Sequence, residues 1–169
     1  MNSNIEISDT ILKFQEFVGQ DANVLKYLHN TRIEEIAKII LNEGFRFEKY
    51  LENTADLVSG LQAIELKYFL HLRRSYGDFT IVMNIGKDVV EKYSEKLKGT
   101  NYHYTEALSK NHPELSSDDE FIYTLPEQFI KGYFNHKSLK PNYNPKFDPH
   151  FDCQLFEENT EILLSTPES

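Results

Sequence analysis

The sequence predicts a single α+β domain, and three stretches carry that expectation. Val24 to Leu28 reads as a short buried strand that ends in the polar turn His29-Asn30-Thr31 and leads straight into a helix. Asp78 to Ile85 is rich in β-branched residues and apolar on both faces, as a strand in the middle of a sheet must be. Glu120 to Leu125 alternates, with Phe121, Tyr123 and Leu125 on one face and Ile122 and Thr124 on the other. A chain of 169 residues is the length of one domain with one core. It can bury roughly two thirds of its unfolded surface, so neither a metal nor a disulfide is needed to hold it.

Taken in order, residues 1–6 are expected to be disordered. Ser8 or Asp9 caps a first helix that carries Ile11, Leu12, Phe14 (or Gln15) and Val18 and stops at Gly19. After the strand, Thr31-Arg32-Ile33-Glu34 has the form of a capping box, in which the Thr31 hydroxyl and the Glu34 carboxylate each satisfy a backbone N–H of the other. Ile33, Ile36, Ala37 and Ile40 then line one face at helical spacing, and Gly44 provides the left-handed residue that ends the helix. Phe45-Arg46-Phe47 and Tyr50-Leu51 form an apolar, extended connection.

Asn53 or Thr54 is expected to open a second long helix, with Leu57, Leu61, Ile64, Tyr68 and Leu72 on one face and Gly77 at its close. A short helix bearing Val89, Val90, Tyr93 and Leu97 follows the central strand. Residues 98–119 are polar, with Tyr102, His103, Tyr104 and His112 interspersed. A loop that long within a domain is functional or disordered. Pro126 ends the alternating strand and opens a one-turn helix, and Ile130 to Phe134 forms a last strand. The domain is therefore expected to span residues 1–136. Residues 137–169 form a polar tail, partly docked through Phe147, Phe151, Leu155 and Phe156, or disordered.

A net charge of −9 argues against nonspecific nucleic-acid binding, which needs a basic field to displace counterions. The single cysteine, Cys153, has no internal partner, which suits a reducing compartment. The first ten residues have neither the basic start nor the apolar run of a signal peptide. No stretch approaches the roughly 20 apolar residues of a membrane helix. The expectation is a soluble, cytoplasmic protein that does not engage membranes. His103, His112, His136 and His150 lack metal-ligand spacing, so no metal site is expected. Seven scattered glycines build no phosphate loop.

With Tyr27-Leu28-His29-Asn30-Thr31 at one end and Asp119-Glu120-Phe121-Ile122-Tyr123 at the other, the chain resembles the ADP-ribosyltransferase superfamily. The match is to the branch that includes the poly(ADP-ribose) polymerase catalytic domains. Those proteins carry a strand ending in His-Gly-Ser/Thr, a helix with the pattern Ile-x-x-Ile-x-x-x-Gly-hydrophobic (here Ile36 to Phe45), and a late Glu-aromatic-hydrophobic strand. The resemblance spans about residues 24 to 135. It implies split mixed or antiparallel sheets flanked by helices.

It also implies a substrate, NAD, cleaved between nicotinamide and ribose through an oxocarbenium-like transition state. Glu120 would be the catalytic carboxylate that stabilises the developing charge, and His29 would bond a ribose hydroxyl. His29, Asn30 and Thr31 would form the nicotinamide end of the site, and Tyr50 and Tyr68 would stack on the pyridinium. The implied activity is ADP-ribosyl transfer to an acceptor the sequence does not name, or NAD hydrolysis. Asn30 stands where the family carries glycine. The alternative is thus an inactive module of the same fold that binds or inhibits a protein.

Overall fold

A strand buried along its whole length needs a neighbour on each edge and a layer over each face, and all eight residues of Phe79–Gly86 are buried. The computed structural model describes residues 2–58, 77–116 and 121–165. In chain order these form α1 (Asn2–Val18), β1 (Val24–Thr31), α2 (Glu34–Glu43), β2 (Phe45–Glu48), β3 (Asp56–Val58) and β4 (Phe79–Gly86). There follow α3 (Lys87–Lys96), α4 (Tyr104–Ala107), β5 (Lys110–Asn111), β6 (Ile122–Leu125), β7 (Ile130–Asn135), β8 (Lys140–Tyr143) and α5 (Gln154–Ser165). Single 3-10 turns occupy Leu51–Asn53 and Glu127–Phe129.

The strands build two antiparallel sheets: five strands in the order β3-β1-β4-β7-β8, and three in the order β2-β6-β5. β1 pairs with β4 along its full length, from Val24 opposite Gly86 to Thr31 opposite Phe79. Strand alternation divides the sheet's residues between two cores. Tyr27, Phe79, Ile81, Met83 and Ile85 point into the main core, which they share with Phe45, Phe47, Tyr123 and Leu125 of the smaller sheet. Leu28, Val82 and Phe134 point the other way, onto Ile11, Phe14, Phe17 and Val18 of α1. The architecture is α+β, as expected. Among the described residues no helix is long and apolar enough to cross a membrane.

Several local expectations are corrected. His29, Asn30 and Thr31 form no turn: all three are still in β1, opposite Ile81, Thr80 and Phe79, and Thr31 does not cap α2. The N-cap is Ile33, without a side-chain cap. Thr31 Oγ1 reaches only the Ile33 N–H, at 3.4 Å. The carboxylate of Glu34 instead accepts the Tyr133 hydroxyl from β7 at 2.8 Å, a long-range partner that displaces the local one. On α2, only Ala37 and Ile40 of the expected face are buried.

The helix expected from Asn53 or Thr54 does not begin there. Asp56–Val58 pairs with Leu28, Tyr27 and Lys26 instead, because the open edge of β1 offers those three residues backbone partners. Leu61, Ile64, Tyr68 and Leu72 of that expected helix lie outside the described residues. At the N-terminus α1 runs from Asn2, where disorder was expected. The expected polar loop carries α4 and β5, with Thr105 to Ser109 buried.

After residue 137, β8 extends the sheet and α5 inserts Phe156 into the main core. Lys92 and Lys96 of α3 bond Glu157 of α5 at 2.7 and 2.6 Å. The Tyr93 hydroxyl donates to Asp152 at 2.5 Å.

Gly44 joins α2 to the smaller sheet. Its φ is 93°, and a Cβ there would sit 2.3 Å from the Leu125 carbonyl oxygen. Only glycine accepts both that backbone conformation and that approach.

Candidate functional site

Where α2 and the end of β1 face the smaller sheet, a cleft of about 580 Å³ opens, within the roughly 300–1,000 Å³ range of small-molecule sites. Part of its lining is apolar: Ile36, Ile39 and Ile40 of α2, with Phe45 of β2. Another part is polar: Arg46, Lys110, His112 and Thr124 from the smaller sheet and its edge. His29 and Thr54 complete it. The exposed isoleucines at 36 and 39 on α2 thus line a cleft instead of a core.

His29 is held in a defined orientation. Its Nδ1–H donates to the Thr54 carbonyl at 2.9 Å, which leaves Nε2 as the acceptor of the neutral ring. The imidazole packs edge-on against Phe45, with ring centroids 4.9 Å apart. Asn30, the next residue, points to the opposite face of the sheet by strand alternation. Its Oδ1 accepts the Thr80 hydroxyl at 2.5 Å, and the Thr80 oxygen in turn takes His136 Nε2 at 2.7 Å. The Asn30 side chain is therefore anchored under α1 and takes no room beside His29. Thr31 is buried, and its carbonyl is covered by Gly77, where a Cβ would lie 2.1 Å away.

Tyr50 sits elsewhere. Its ring meets His103 edge-on at 5.5 Å, and the Lys49 ammonium lies 5.2 Å from its centroid. That neighbourhood is a second polar cluster. Tyr27, fully buried, donates to Glu52 at 2.9 Å and shares a short hydrogen bond with Tyr104. Burial pushes the Tyr104 hydroxyl up to about 12. Burial also lowers the His103 imidazole below its ordinary value, with the Glu52 carboxylate opposing. Glu106 is buried at the start of α4. Burial raises its carboxyl, against hydrogen bonds from the His103 N–H at 2.7 Å and the Tyr123 hydroxyl at 3.3 Å.

The structure thus places His29 in the cleft, Asn30 behind it and Tyr50 in the neighbouring cluster. Tyr68 and Glu120 lie outside the described residues. The described chain resumes at Phe121, whose carbonyl accepts the Lys49 N–H at 2.8 Å. Sequence reasoning missed Arg46, Lys110 and Thr124 as site residues. Arg46 carried a signal, because it alternates with Phe45 and Phe47 and so faces away from the core they build. Among the described residues no group of three or more His, Cys, Asp or Glu side chains is arranged to hold a metal ion.

Compared with known proteins, the chain matches no family model, and no curated protein or solved structure proved similar to it.

Proposed function

We propose that the cleft binds NAD and that the protein is an ADP-ribosyltransferase or NAD glycohydrolase. One observation carries the reading. A histidine at the end of β1, with Nδ1 tied to a carbonyl and Nε2 left to accept, borders a nucleotide-sized cleft between two antiparallel sheets. That is the role the sequence resemblance gives His29. The anchoring of Asn30 under α1 supports it too, since the side chain that replaces a glycine leaves the cleft clear.

NAD supplies a nicotinamide–ribose bond that breaks readily once the charge developing on the ribose is stabilised. In this reading, His29 Nε2 accepts a ribose hydroxyl and orients the sugar. The apolar wall of Ile36, Ile39 and Phe45 excludes water from the ring. Glu120 opposes the developing charge.

The test is nicotinamide release from NAD by the full chain. Glu120→Gln should slow it about 10²–10³-fold, and His29→Ala should raise KM and lower kcat. Equal release from wild type and Glu120→Gln would remove Glu120 from the mechanism.

The second reading, an inactive module that binds a protein, is favoured by the apolar stripe on α2. Ile33, Ile36 and Ile39 are 55, 42 and 53% exposed. Absence of NAD binding by wild type would support that reading.

A further inference from the structure

Among the described residues, two cations that line the cleft, Arg46 and Lys110, make no salt bridge. In the smaller sheet, Arg46 pairs in register with Thr124, and Thr124 pairs with Lys110. The three side chains therefore stand in one row on one face, with neighbouring Cβ atoms about 5 Å apart, and all three line the cleft. Among the described residues neither Arg46 nor Lys110 makes an ion pair, whereas Lys92, Lys96 and Lys137 all do. In a chain of net charge −9, two cations stand in line on the wall of a cleft with the neutral Thr124 between them, and Glu114 is near enough to Lys110 to feel its charge. Among the described residues that line the cleft, Glu43 of α2 is the one acid.

The neighbouring imidazole fixes what the row can offer. His112 Nδ1–H donates to Glu114 at 3.2 Å, and Nε2 shares a hydrogen bond with the Thr124 hydroxyl at 2.7 Å. The Thr124 hydroxyl is thus engaged, and an incoming anion meets the guanidinium fork of Arg46 and the ammonium of Lys110. A planar fork beside a point charge suits the oxygens of a phosphate group. The apolar isoleucine lining of the same cleft suits a ring.

We propose that the Arg46–Thr124–Lys110 row is a phosphate-recognition site, and that it makes the cleft select a phosphorylated ligand, a mono- or diphosphate attached to an aromatic base, over the corresponding unphosphorylated nucleoside. The inference rests on the proposed reading only in taking this cleft as the ligand site, and does not depend on any bond being cleaved there.

The test titrates inorganic pyrophosphate into the 15N-labelled full chain, as wild type and as the double variant Arg46→Gln, Lys110→Gln. Both positions are exposed, so the variant should fold, as circular dichroism will check. The expected result is saturable shifts of the Arg46, Lys110 and Thr124 amides, with at least tenfold weaker affinity in the double variant. Lys140→Gln, on the far edge of the larger sheet, should bind as wild type does. Equal affinity in the double variant, or shifts spread over surface lysines without saturation, would overturn the proposal.

A parallel measurement of NAD cleavage separates this inference from the reading above. Pyrophosphate bound at the row without NAD cleavage keeps the phosphate site and removes the enzyme. NAD cleaved with KM unchanged in the double variant keeps the enzyme and removes the phosphate site.

Discussion

The two faces of the five-stranded sheet are built from alternate residues of the same strands, yet they end in opposite conditions. Under α1, Leu28, Val82 and Phe134 meet Phe14, Phe17 and Val18 in a closed apolar layer. Three polar groups on that side, Asn30, Thr80 and His136, bond one another. On the other face the same strands fill the main core until the end of β1, where His29 reaches the rim and the cleft begins. Its polar groups, Arg46 and Lys110 above all, are left facing open space. One strand thus serves two faces: Leu28 and Asn30 fasten β1 under α1, while His29 between them faces the cleft.

The contrast breaks if stability does not divide between the faces. Phe14→Ala should cost about 3–5 kcal/mol, the usual cost of emptying a fully buried aromatic position. His29→Ala, on the half-open rim, should cost about 0.5 kcal/mol. Urea unfolding of both variants measures this, and similar midpoints would refute the division. Gly44→Ala should cost about 2 kcal/mol, because alanine strains at φ 93° and its Cβ meets the Leu125 carbonyl. The loss should appear in hydrogen exchange at β2 and β6, the polar wall of the cleft, before it appears under α1.

Thr80→Val should cost about 1–2 kcal/mol by leaving Asn30 and His136 without their shared partner. The His29 ring signals should stay in place, since that loss falls on the closed face. The smallest effect concerns Glu106. Burial raises its folded pKa above the ordinary 4.5, so the folded state holds this proton to higher pH than the unfolded chain does. Its contribution to stability therefore falls as pH rises from 4.5 through the folded value. Glu106→Gln, which does not titrate, should lack that slope. The stability difference between variant and wild type should grow across this window and be constant below it.

How much of this was legible depended on how local the cause was. The central strand, the alternation from Ile122 to Leu125 and the stop at Gly44 follow from residues adjacent in the chain, and each is present; Phe121, expected on the face of Tyr123 and Leu125, lies before β6 and is exposed. The Thr31 cap was a sound local argument that lost to Tyr133, 99 residues away, which takes the Glu34 carboxylate. β3 escaped notice because Leu57 fits a helical spacing, and only the open edge of β1 decides for a strand. In the site, His29 was legible as a strand-end histidine. The cationic row was not, since Arg46 and Lys110 become neighbours only through Thr124, and no pattern within any of the three segments records that register.

The most direct test of the central claim is a titration of the 15N-labelled full chain with NAD, followed by amide and histidine-ring signals. The account predicts saturable shifts at His29, Phe45, Thr54 and Thr124, with the Asn30 side-chain amide and the Phe14 and Phe134 amides unmoved. Unchanged spectra at millimolar NAD, or shifts confined to the face under α1, would contradict it.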